Sequence, residues 1–226
     1  CSNPVIGDIC DLTIAAGGSA VVSETAEFIG AEAVFEDRCP DPVTRQMVLD
    51  FISYRARLMD QDSGKDYRGT NPTRENIDGG LTTLIEKSMG AVSKTGTTDF
   101  VSALEFGMPP GAPGLHLMDT PFFSPVSLTG MMMAGCNLGL FAMGVFNPSG
   151  NPLCPIIKIC GNPQTLRHWR EDIDVELDGY FTGELDRGGA QQTVLARMNA
   201  VFNGAETASE TFGEGQFMLP RLKDAL

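Results

Sequence analysis

The residue types and spacings best suited to chemistry fall between Asn71 and Lys94, in the run N-P-T-R-E-N-I-D-G-G-L-T-T-L-I-E-K-S-M-G-A-V-S-K. Gly79-Gly80 precedes an apolar-periodic stretch and reads as a helix start. A carboxylate can approach the bare glycine backbone there and meet N–H groups at the positive end of the helix dipole. Asn76 on one side and Thr82 and Thr83 on the other add amide and hydroxyl donors. Glu86 and Lys87 follow about two turns in, and Lys94 comes just after Gly90, the expected helix stop. The same residues also suit a plain glycine helix start, a solvated Glu–Lys pair and a surface lysine. The pattern admits an anion site without demanding one.

Three further positions join the list. Lys158 stands mid-strand among Ile156, Ile157 and Ile159. A buried ammonium is costly without a partner, so it either contacts an anion or reaches out of the sheet in a structural role. Asn147 and Asn162 lie in turn-rich segments that follow expected strands. In open α/β sheets ligands bind beyond the carboxyl ends of the strands. That rule selects Asp119-Thr120-Pro121, Val145 to Asn151 and Gly161-Asn162-Pro163. No Walker-type, G-x-G-x-x-G or G-x-S-x-G pattern is present, which disfavours nucleotide binding and serine-hydrolase chemistry. With His116 and His168 the only histidines, and six cysteines lacking a C-x-x-C pair, no metal ligands are assigned to this chain. The cysteines read as small core residues in a reducing compartment.

The elements that must position these residues alternate. Asn3-Pro4 opens a helix that ends at Gly17-Gly18, and Ser19 to Ser23 reads as a short buried strand. Helices are expected over about Glu27 to Glu36 and from Asp41-Pro42 onward, the latter marked on one side by Val43, Met47, Val48, Phe51, Arg55 and Leu58. Gln61 to Asn76 is a long polar connection. Strands are expected at Leu115 to Met118, Leu138 to Met143 and Ile156 to Cys160. Helices are expected at Ser124 to Ala134, Gln164 to Arg170 and Ala190 to Phe202. Strands alternating with helices give an α/β fold, Rossmann-like in the loose sense, with a mostly parallel sheet and helices on both faces. Residues 1–204 form the core, and 205–226 a tail packed on its surface. The formal charge of −13 repels nucleic acid and anionic membranes, and no apolar run is long enough for a membrane span. The chain begins at Cys1 without a methionine or signal-peptide pattern, so it is expected to be a cytoplasmic piece of a longer enzyme.

The pattern N-P-x-x-x-N-x-x-G-G-L-T-T-L-x-E-K-S-x-G at Asn71 to Gly90 resembles a signature of the altronate/galactarate dehydratase family. Asn3-Pro4 with Gly7, Gly17-Gly18, the Ser23 to Glu32 segment, Pro113-Gly114-Leu115, Gly144 to Gly150, Pro155 to Pro163 and Asp172-Ile173-Asp174 are similar to family blocks in the same order. The resemblance implies a lyase that removes a β-substituent from a hydroxy-acid: a sugar-acid dehydratase or, alternatively, the large subunit of a sulfolactate sulfo-lyase. It also implies a homo-oligomer, a divalent metal such as iron(II) bound mainly outside this chain, and a small histidine-bearing domain or subunit as partner. One departure is that Gly144-Val145-Phe146 stands where many sugar-acid members carry G-R-G. The loop after Met143 therefore lacks the guanidinium fork, suited to a carboxylate, that such an arginine supplies.

β-Elimination needs a base for the proton beside the carboxylate, a stabiliser for the aci-carboxylate, and protonation of the leaving group. On this resemblance the carboxylate is assigned to Gly79, Gly80, Thr82 and Thr83, with Asn76 beside them. Lys87 or Lys94, with Glu86, would carry charge and proton transfer. Asn147, Asn162 and Lys158 would orient substrate hydroxyls. A different class of reading makes this chain a non-catalytic scaffold or dimerisation domain. The two diverge on whether the Gly79 to Lys94 segment lines a pocket or packs into a core.

Overall fold

In a computed structural model that describes residues 2–61, 74–78 and 82–220, the first helix, α1 (Ser2–Ala15), begins ahead of the expected Asn3-Pro4 start and ends before the glycine pair. Gly17, at φ 85°, turns the chain from α1 into β1 (Ser19–Val22). After a 3-10 turn (Thr25–Phe28), α2 (Glu32–Arg38), α3 (Pro42–Gln61), α4 (Arg74–Asp78) and α5 (Leu84–Val92) follow. Next come β2 (Phe100–Leu104), β3 (Gly114–Met118), α6 (Ser124–Met133), β4 (Gly139–Met143) and β5 (Ile156–Cys160). The chain continues through α7 (Pro163–Trp169), β6 (Val175–Glu176), α8 (Asp178–Thr182), α9 (Arg187–Phe202) and α10 (Ala208–Thr211).

The fold is α/β and Rossmann-like, with every described strand pairing parallel. The described strands form two three-stranded sheets, β1-β3-β2 and β4-β5-β6, where the sequence suggests one. β3 and β5, central in their sheets, are buried at every position and show no alternation, as strands covered on both faces should. Around the first sheet α2 and α3 pack Phe35, Val48 and Ile52 against Phe100, Leu115 and Leu117. Around the second, α1 and α9 pack Ile6, Ile9 and Val194 against Ile157 and Ile159. α1 touches β1 and β4, and so joins the two halves.

Several local expectations need correction. The helix expected over Glu27 to Glu36 is split into the 3-10 turn and α2, because Gly30 sits at φ 90° between them. On α3 the buried side is Thr44, Val48, Ile52, Arg55 and Leu58, whereas Val43 is exposed. Gly90 does not stop α5, which runs on to Val92. The close approach of α1 needs glycine at Gly7, where a Cβ would run into Ser93 O, and not at Gly90, whose carbonyl accepts from Asn3 Nδ2 at 2.8 Å. The start of α5 lies at Leu84 with Thr83 as its cap, not at the glycine pair. β2 has no counterpart among the expected strands.

Candidate functional site at the carboxyl ends of the strands

β1 leads into Ser23-Glu24, and this end is tied to the start of α6 by hydroxyls. Glu24 N donates to Thr120 Oγ1 at 2.8 Å, Thr120 and Ser127 hydroxyls lie 3.0 Å apart, and Ser23 and Ser127 hydroxyls 2.7 Å apart. The loop after β3 is held from below by Arg55 of α3, whose guanidinium donates through Nε and Nη2 to both Asp119 oxygens at 2.9 Å. Into the space so framed open the N-terminal ends of α1, α6 and α7, marked by Asn3, Ser124 and Asn162. The result is a cleft of about 1250 Å³ at the carboxyl ends of β1 and β4, where an open α/β sheet binds ligands. The selected loops supply Val145 to Ser149 and Gly161 to Gln164 of its wall. The segment after β3 contributes Phe122 to Pro125.

Four charged side chains meet there. Lys94 Nζ donates to Glu27 Oε2 at 2.8 Å, and Lys87 Nζ lies 4.0 Å from Glu27 Oε1 and 4.5 Å from the centroid of the Phe122 ring. Glu24 adopts φ 62°, ψ 60°, the one described non-glycine residue with positive φ. A strained backbone of this kind persists only where its surroundings enforce it, and such positions cluster at functional sites. Its Oε1 accepts from Ser124 Oγ at 3.0 Å, and Ser124 Oγ in turn accepts from Asn147 Nδ2 at 3.4 Å.

The electrostatics divide the four. Burial, reinforced by the Glu27 charge, raises the Glu24 carboxyl to about 7 against the pull of Lys94, Ser124 and Lys87. Burial also pushes Glu27 upward, but Lys94 outweighs it and the carboxyl titrates below its usual value. Burial draws Lys87 down, with Glu27 and Glu24 opposing. Burial would draw Lys94 down as well, yet Glu27 and Glu24 overcome it and leave Lys94 raised. The cleft thus holds one fixed ion pair, Glu27–Lys94, beside a carboxyl able to exchange its proton near neutrality and an ammonium easier to discharge than usual.

The structure distributes the sequence-assigned residues unevenly. Lys87, Lys94, Glu86, Asn147 and Asn162 line the cleft, and Asp78, Gly90 and Ala91 from the same segment do too. That is the placement that favours a site over a scaffold. Gly79 and Gly80 lie outside the described residues, and Asn76 is described only as part of α4. Thr82, Thr83 and Glu86 form a helix cap: Glu86 N donates to Thr83 Oγ1 at 3.1 Å, and Thr82 N and Oγ1 donate to Glu86 Oε2 at 2.9 and 2.7 Å. Those bonds hold the exposed Glu86 carboxyl below its usual value. Asn162 caps α7 by accepting from Gln164 N and donates to Gly144 O. Asn147 accepts from Ser149 N in its own turn.

Lys158 is placed apart from the cleft. It is fully buried, its Nζ bonds Glu214 Oε2 at 2.7 Å, and the Phe146 ring lies 5.4 Å away, itself stacked on Trp169. Glu214 belongs to the segment after α9. That segment is tied to the core by this ion pair and by Met218 N donating to Thr129 Oγ1. The functional residues that sequence reasoning misses are Glu24 and Glu27. Their signal is present in the Ser23 to Glu32 block, but only as part of a family resemblance.

Among the described residues no group of three or more His, Cys, Asp and Glu side chains is placed to hold a metal ion. Glu24 and Glu27 are at most two carboxylates, and one of them is committed to Lys94. The described residues therefore do not fit a divalent metal as a complete ligand set. The described cysteines are free, and burial raises the Cys10 and Cys154 thiols to about 12, far from nucleophilic thiolates.

A sequence model of the family described as D-galactarate/Altronate dehydratase, C-terminal, matches residues 1–224. The chain is 32% identical over 225 residues to the (2R)-sulfolactate sulfo-lyase subunit beta of Chromohalobacter salexigens, covering 99% of this chain and 58% of that protein. It is 30% identical over 216 residues to the altronate dehydratase of Escherichia coli, covering 92% of this chain and 41% of that protein. To the galactarate dehydratase (L-threo-forming) of the same organism it is 27% identical over 183 residues, covering 81% and 35%. The chain spans little more than half the length of the first of these proteins and less of the others.

Proposed function

From its membership of the D-galactarate/altronate dehydratase family, to whose C-terminal region this chain belongs, we infer that it supplies the proton-transfer cleft of a hydroxy-acid lyase. The reaction proposed is dehydration of a sugar acid such as altronate or galactarate. Sulfolactate, with sulfite leaving, is the second reading. It is favoured by the match to the sulfo-lyase subunit, which covers 99% of this chain.

One observation carries the proposal: Glu24, strained in backbone and near neutral in pKa, faces a cleft that also holds Lys87 and the Glu27–Lys94 pair. The substrate carboxylate is proposed to meet the helix N-termini at Asn3 and Ser124, whose partial positive charge offsets the acidic chain. Loss of the proton beside the carboxylate moves the C–H electron pair toward that carboxylate. A carbon–carbon double bond then forms as the β C–O bond breaks, and the departing hydroxyl takes a proton to leave as water. Ionised Glu24 is assigned the uptake of the proton beside the carboxylate and, once protonated, its delivery to the departing hydroxyl, which returns the carboxylate to its starting state. Lys87, drawn down by burial, is assigned the charge on the aci-carboxylate, ahead of Lys94, whose contact with Glu27 is the shorter and is hydrogen-bonded.

A metal such as iron(II) belongs to the proposal only as a group held mainly by residues outside this chain, and no step above is routed through it. A small histidine-bearing domain or subunit, a homo-oligomer and a cytoplasmic setting are proposed on the same family grounds. The test is turnover by the complete enzyme of altronate, galactarate and sulfolactate, with and without added iron(II). Elimination from one of them, lost in Glu24→Gln and Lys87→Met variants, is expected. Elimination that survives both substitutions refutes the assignment.

A further inference from the structure

The two sheets meet at edges with no ladder partner among the described residues. There β1 bonds β3 on one side only and β4 bonds β5 on one side only, while both open their carboxyl ends onto the same cleft and so run in the same direction. Between them lies a second cavity of about 250 Å³. Every residue of Ser19–Val22 and every residue from Gly139 to Ala142 lines it. Alternate residues of a strand face opposite sides of its sheet, so a cavity touching consecutive residues lies along the strand edge, where main-chain N–H and C=O groups project. α1 closes it on one face through Ile6 and Ile9, and α6 on the other through Leu128 and Met131. A slot bounded by two parallel strand edges and floored by helices above and below has the shape of one absent strand in a three-layer sheet. Buried main chain along such edges needs ladder partners, and an added strand supplies them.

We propose that this slot receives an extended, apolar β-strand, parallel to β1 and β4, from polypeptide that reaches α1 from its N-terminal side. The connection settles the occupant. α1 turns tightly through Gly17 into β1 and therefore runs antiparallel to it, which puts Ser2 and Asn3 at the carboxyl-end cleft. A parallel strand in the slot would end at that same cleft, beside the start of α1. It would complete a strand–helix–strand crossover with β1, the connection parallel strands require. Relatives extend beyond the matched region and have the length to provide it; this chain spans 58% of the sulfo-lyase subunit. The apolar walls call for apolar side chains on both faces of the incoming strand. The inserted strand joins both sheets into one and delivers its last residues next to Glu24 and Lys94, which line both cavities. That last consequence rests on the function proposed above; the insertion itself does not.

Hydrogen exchange read by mass spectrometry on the protein at its full natural length tests the insertion. Amides of Ser19–Val22 and Gly139–Met143 are all expected to exchange at least roughly a thousandfold more slowly than free peptide, as in interior strands. Fast exchange at alternate positions of either strand, the signature of a free edge, overturns the proposal. The 226-residue chain alone is expected to show that free-edge pattern and to label at Cys136, which lines the slot. Protection in the short chain that disappears on dilution would mean that a second copy fills the slot, and would overturn the choice of occupant. Turnover that survives Glu24→Gln and Lys87→Met, with the exchange pattern as expected, would count against the cleft chemistry alone.

Discussion

Replacing Glu24 by glutamine should make the protein more stable at neutral pH while removing a group assigned to proton transfer. The reason is the carboxyl's environment: burial and the Glu27 charge raise it from 4.5 to about 7. Below the unfolded value both folded and unfolded chains hold the proton, so wild type and Glu24→Gln should unfold at similar urea concentrations. Between these values the unfolded chain releases the proton and the folded chain keeps it, so wild-type stability falls as pH rises. Above about 7 the folded chain carries the buried charge. The deficit then levels off at about 3 kcal/mol, the worth of a shift this large. Glutamine keeps an acceptor for Ser124 Oγ and carries no charge, so it avoids the deficit. Urea unfolding of both proteins at about pH 4, 6 and 8 should show the gap opening in the variant's favour. A gap independent of pH, or one that closes as pH rises, refutes the account of Glu24.

Other substitutions probe the neighbours. Ser124→Ala removes a bond that favours the ionised form, so the Glu24 carboxyl should titrate higher still, measurable by carbon-13 NMR of that carboxyl. Lys94→Met strips Glu27 of its main counter-charge. It should cost about 2–3 kcal/mol near neutral pH, and the cost should shrink as pH falls through the carboxylate range and Glu27 protonates in both states. Lys158→Met alone leaves Glu214 uncompensated and should destabilise by about 3 kcal/mol, whereas adding Glu214→Leu should recover most of that loss in a denaturation double-mutant cycle.

The scaffold is legible in the sequence where local signals and tertiary packing agree. Gly17 turns the chain out of α1, and Asn162-Pro163 caps α7, because capping chemistry acts within a single turn, whereas Asn3-Pro4 lies one residue inside α1. The carboxyl-end rule finds the cleft's loops because strand direction is fixed by parallel pairing. Where a residue answers to a distant partner, the reading slips. Gly90 looks like a stop but lies inside α5, and its carbonyl accepts from Asn3, 87 residues away. Lys158 reads equally as an anion contact or a structural lysine, and its partner is Glu214, from a segment that reads as surface cover. Glu24 falls in a block that resembles the family, but no residue-by-residue reading singles it out. Its place in the site depends on a left-handed backbone, a hydroxyl on α6, and two lysines far along the chain, Lys87 and Lys94. None of these leaves a trace in local spacing.

The central claim is that Glu24 moves a proton during elimination from a hydroxy-acid. The most direct measurement is kcat against pH for wild type and Glu24→Gln in the complete enzyme, on whichever acid it turns over. If Glu24 moves the proton, kcat should fall about 10²–10⁴-fold at similar KM, with the pH limb near 7 absent from the variant. Turnover within about threefold of wild type, with that limb intact, would contradict it.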